Sequence, residues 1–76
     1  MKRKSIYEKD YQKVLVRLKR AREEAGLTQI EAARLLEITQ STMSKCESGD
    51  RRIDIIELRN FARVYEKRME YFINDL

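Results

Sequence analysis

Apolar residues recur at intervals of three and four along most of the chain, and nowhere do they alternate with polar ones between turn residues. The first spacing belongs to one face of a helix and the second would mark a half-buried strand, so the pattern predicts an all-α fold. Tyr7, Tyr11, Val14, Leu15 and Leu18 make one stripe, and Leu58, Phe61, Ala62 and Tyr65 make another. Each predicts a helix that turns one face to a shared core. Shorter patterns lie between them: Ile30, Ala33 and Leu36 for the inner side of a second helix, Ile38 for the corner after it, and Met43 with Cys46 for the narrow inner edge of a third.

Capping signals divide the chain in the same way. There is no Pro, and the two glycines, Gly26 and Gly49, each follow a helical pattern, where a left-handed residue ends the helix. Ser5 with Glu8, Thr28 with Glu31 and Asp54 with Glu57 have the spacing of capping boxes, and Thr39 is a further N-cap. The division is a helix from Ile6 to Ala25, a second from Gln29 to Leu36, a third from Gln40 to Ser48, a fourth from Ile55 to Glu66, and a short last one from Met69 to Asp75. The second and third are too short to persist alone in water and must be held by packing.

This leaves the polar run "ITQSTMSKCESGDRR" (Ile38 to Arg52) to explain. With Met43 and Cys46 inward, Gln40, Ser41, Ser44 and Lys45 point away from the core. Two short helices joined by a tight turn, the second showing such residues outward, form the helix-turn-helix arrangement whose second helix lies in the DNA major groove. Gln pairs with the N6/N7 edge of adenine, Lys donates to guanine, and Ser donates or accepts. An ordinary solvated helix face would have the same composition.

Seventy-six residues allow one domain, residues 1–76, with a small core. The net charge is +4, with Lys2, Arg3 and Lys4 in one cluster and Arg17, Lys19, Arg20 and Arg22 in another. A polyanionic partner fits this surplus, and so does a merely solvated surface. Residues 1–5 read as a basic arm or a frayed end. There is no His, no Gly-rich phosphate loop, and one Cys without a partner. The expectation is a non-enzyme with no catalytic residues, metal or cofactor. With no long apolar run and no signal-peptide pattern, no membrane association and a cytoplasmic location are expected.

The run "LTQIEAARLLEITQSTMSKCESG", Leu27 to Gly49, resembles the core of the Cro/C1-type (Xre) family of helix-turn-helix transcriptional regulators, in which lambda repressor-like domains fold as compact bundles of five helices. "RLKRAREEAG" before it and "RRIDIIELRNFARVY" after it are similar to the family's first and fourth helices. The resemblance implies base reading by Gln40, Ser41, Ser44 and Lys45. It implies that Gln29 bonds a phosphate and buttresses the third helix, that Thr28, Thr39 and Thr42 cap helices and touch phosphate, and that Arg51 and Arg52 follow the DNA backbone. Arg22 and Glu47 stand where the family has a structural ion pair. Glu37 and Glu66 occupy turns that usually hold Gly, at a cost of about 1 kcal/mol each if the φ angle is positive, so rebuilt turns are expected. Ala32 replaces a common Leu and Ile53 a common Pro.

At the C-terminal end, Phe72 and Met69 are expected to pack inward, leaving Tyr71, Ile73 and Leu76 as candidates for a homodimer interface. The alternative is a last helix folded onto the first, covering Tyr7 and Tyr11. Two recognition helices ~34 Å apart would read a palindromic operator on double-stranded DNA, most simply as a repressor. The competing function is a protein-interaction module, such as an antitoxin with a toxin or other protein partner, whose DNA binding is autoregulatory.

Overall fold

The computed structural model describes residues 2–76, with side chains from Glu8 onward. It consists of five helices: α1 (Lys2–Glu24), α2 (Gln29–Leu36), α3 (Gln40–Ser48), α4 (Ile55–Val64) and α5 (Met69–Ile73). None of them is long and apolar enough to cross a membrane. The helix α1 begins upstream of the expected start, so Ser5 lies inside it and is not its N-cap. The side chains of Lys2, Arg3, Lys4 and Tyr7 lie outside the described ones.

Three starts follow from local chemistry. The Thr28 hydroxyl accepts from the Glu31 N–H at 3.1 Å while the Glu31 carboxylate accepts from the Thr28 N–H at 2.9 Å, and Asp54 and Glu57 repeat the exchange at 2.7 and 3.0 Å. Thr39 caps α3 by accepting from the Thr42 N–H at 3.0 Å. The ends of α2 and α4 take a left-handed turn, and the turns are not rebuilt. Glu37 (φ 60°) and Glu66 (φ 56°) adopt the left-handed conformation although they carry side chains. In both turns the two following N–H groups return to the helix, Glu37 to Arg34 O and Ile38 to Ala33 O, Glu66 to Arg63 O and Lys67 to Ala62 O. Because Tyr65 and Glu66 make this turn, α4 stops at Val64, short of the expected Glu66.

The core gathers Val14, Leu18 and Ala21 of α1, Ala32 and Ala33 of α2, Met43 and Cys46 of α3, Leu58, Phe61 and Ala62 of α4, with Tyr65 and with Phe72 of α5. Leu36, Ile38 and Met69 pack at its margin. Ile30 is a correction: expected inside, it is 58% exposed, while Ala32 is fully buried. An eight-residue helix offers two candidate stripes, and the one bearing two alanines lets α2 approach its neighbours closely.

The last helix packs against α1. Phe72 is fully buried, and the Arg17 guanidinium donates to Phe72 O at 3.0 Å and Asn74 O at 2.7 Å, so a cation closes the C-terminal end of α5. Tyr11 meets another partner, the loop between α3 and α4, whose Ile53 N–H donates to its hydroxyl at 3.0 Å.

Candidate nucleic-acid interface

The inner edge of α3 is fixed by Met43 and Cys46, 0% and 2% exposed, and its other side is open. Gln40, Ser41, Ser44 and Lys45 are all exposed there. The positions with the polar chemistry required for base edges are thus held on a helix that cannot roll without uncovering two buried side chains.

Behind that face runs a chain of charge and amide groups. Arg22 donates to Glu47 through Nε at 2.6 Å and through Nη2 at 3.2 Å, and its remaining nitrogen donates to Leu27 O at 2.8 Å. The two side chains retain 11% and 6% exposure, and the hydrogen bond to Glu47 raises the Arg22 pKa against the opposing effect of burial. Gln29 donates to Glu47 Oε1 at 3.0 Å, and its own Oε1 accepts from Gln40 Nε2 at 3.1 Å. One line of contacts therefore joins α1 to the first residue of α3. The support of the third helix that the resemblance implies for Gln29 takes the form of this amide–amide bond, with Gln40 as the partner. It leaves Gln40 with an acceptor oxygen and one N–H to offer, the pair that adenine complements.

The flanking positions divide. Thr28, Thr39 and Thr42 sit at the first turns of α2 and α3, Thr39 also donating to the Thr42 hydroxyl at 2.9 Å. Arg51, expected on the DNA backbone, is exposed and also paired within the protein: it donates to Glu57 at 2.7 Å and to Cys46 Sγ at 3.7 Å. Glu57 is held in place by the Asp54 N–H, and the pairing raises the Arg51 pKa and lowers that of Glu57. Arg52 turns the other way, its guanidinium 4.5 Å from the centroid of the Tyr11 ring. Burial pushes the Cys46 thiol up in spite of Arg51, so it is an inert core group. Of the second basic cluster, Arg17 and Arg22 are used inside the fold, and Lys19 and Arg20 are exposed. Among the described residues no group of three or more His, Cys, Asp or Glu could hold a metal ion.

At the C-terminal end, Ile73 and Leu76 are each 45% exposed. Tyr71 is half-buried, with Lys67 4.6 Å above its ring and its hydroxyl donating to Glu24 at 3.5 Å.

Comparison with protein-family models matches residues 15–66 to a helix-turn-helix domain. The chain belongs to that family. No curated protein and no solved structure shows a significant match. The helix-turn-helix match runs from Leu15 in α1 through α2, α3 and α4 to Glu66, so it contains the whole Arg22–Glu47–Gln29–Gln40 line. In helix-turn-helix domains bound to DNA the first helix of the pair crosses the DNA backbone and the second enters the major groove.

Proposed function

We propose that this helix-turn-helix protein is a sequence-specific transcriptional regulator of the Cro/C1 (Xre) type, acting in the cytoplasm as a repressor that occupies a palindromic operator. The observation that carries the reading is the exposed row Gln40, Ser41, Ser44 and Lys45 on a helix whose opposite edge is buried and whose first residue is hydrogen-bonded to Gln29. These four read bases. Thr28, Gln29, Thr39, Thr42, Arg51 and Arg52 contact the DNA backbone, Arg51 while also paired with Glu57. A homodimer supplies the second recognition helix, with Ile73 and Leu76 at its contact and Tyr71 beneath them. The same exposed residues are the surface on which a protein partner such as a toxin would sit, and copurification with one would favour that reading. The proposal is tested by selecting bound duplexes from a random DNA pool. An enriched inverted repeat with half-sites about one helical turn apart is expected. Failure to enrich any sequence over the starting pool would overturn it.

A further inference from the structure

The loop after α3 carries two adjacent arginines with opposite fates. Arg51, itself exposed, pairs with Glu57 and reaches Cys46 Sγ, while Arg52 lies across the ring of Tyr11, 4.5 Å from its centroid. Tyr11 belongs to the part of α1 that precedes the helix-turn-helix match, which begins at residue 15. It holds the loop twice, through its ring and through its hydroxyl, which accepts from the Ile53 N–H at 3.0 Å. One turn further along α1, Leu15 presses on the start of the same loop: a Cβ added to Gly49 would stand 2.9 Å from Leu15 Cδ1. The loop is therefore seated on α1 at both ends of its path.

We infer that Tyr11 is a positioning residue for DNA binding, whose ring holds the Arg52 guanidinium as a phosphate anchor beside the recognition helix. This rests on the DNA-binding reading above and adds a function to α1 outside the matched family region. A guanidinium over an aromatic face is attracted by the ring's electron-rich surface and keeps its edge N–H groups free to donate. Arg52 is exposed and lies just beyond Gly49, the cap of α3, so a helix set in a groove ~12 Å wide brings this loop alongside a phosphate strand. An arginine already stacked loses less freedom on binding a phosphate than a free one.

The test compares wild type, Tyr11→Phe, Tyr11→Leu, Arg52→Ala and the double variant Tyr11→Leu/Arg52→Ala on one selected duplex at several salt concentrations. Arg52→Ala is expected to reduce the slope of log affinity against log salt by about one. Tyr11→Leu should show most of that reduction, and the double variant should match Arg52→Ala. Tyr11→Phe keeps the ring and should keep the slope. If Tyr11→Phe loses as much as Tyr11→Leu, the hydroxyl tether is what matters and the inference is overturned. A full slope in Tyr11→Leu overturns it as well. A wild-type protein that prefers no duplex to heparin overturns the DNA-binding reading itself, which is a different failure. Independently of DNA, ring-current shifts should move the Arg52 side-chain protons upfield in wild type and Tyr11→Phe. Unshifted protons in the wild type would count against the stack.

Discussion

Arg22 is the residue at which charge and burial conflict most. Its guanidinium is spent entirely within the fold, on Glu47 and Leu27 O, although its place in a basic cluster suggests a surface role. Removing one member of a buried, hydrogen-bonded pair leaves the other charge without compensation, at about 3–5 kcal/mol, whereas the intact pair adds little net stability. Arg22→Ala should therefore lower the unfolding free energy in urea by roughly that amount. A loss below about 1 kcal/mol, the range of an exposed pair, would contradict it. Glu57 gives a milder case. Its pKa is lowered first by the hydrogen bond from Arg51 and then by that from the Asp54 N–H. A carboxylate depressed in the folded state stabilises the protein above its unfolded pKa, and the contribution disappears as pH falls through the folded value. The gap in melting temperature between wild type and Glu57→Gln should stay constant from neutral pH down to about pH 5 and shrink below it. A gap that persists unchanged to pH 3 would contradict the assignment.

At the scale of the helices, the turns after α2 and α4 store strain. Glu37 and Glu66 hold φ angles of 60° and 56°, where a side chain is unfavourable and Gly is not. Glu37→Gly and Glu66→Gly should each stabilise the protein by about 1 kcal/mol, read as a higher denaturant midpoint at unchanged slope. A lower midpoint for either would mean that its side chain makes a compensating contact. These turns also mark the limit of what the chain's pattern reveals. The bounds of α2 and α3 are legible because Thr28 with Glu31, Thr39 and Gly49 act through their nearest neighbours. The early end of α4 is less so, because Glu is not a residue type that favours the left-handed conformation, and only the resemblance marks Glu66 as a turn position. The burial of Ala32 in place of Ile30 depends on what packs against α2, and a periodicity alone gives no choice between the two stripes. The site behaves likewise. The exposed positions of α3 follow from its narrow apolar edge, and the resemblance implies that Gln29 supports that helix; the partner, Gln40, and the Tyr11–Arg52 stack needed the folded chain.

For the whole molecule, the net charge of +4 is less informative than its distribution. Arg22, Arg51 and Lys67 are paired with Glu47, Glu57 and Glu24, and Arg17 closes α5. The positive charge left for DNA is therefore carried by exposed groups such as Lys19, Arg20, Lys45 and Arg52. Phosphate contacts from such groups bind every sequence alike and weaken with salt, so under the proposed function the preference among duplexes comes from the open face of α3. The most direct measurement is the ratio of affinities for the selected duplex and for one altered at a single contacted base pair, taken for wild type and for Gln40→Ala. For wild type the ratio should reflect ~1–3 kcal/mol of discrimination at the base pair Gln40 reads, and in Gln40→Ala it should fall toward one there while non-specific binding survives. If Gln40→Ala instead weakens all duplexes equally and leaves every ratio unchanged, α3 does not read bases through Gln40.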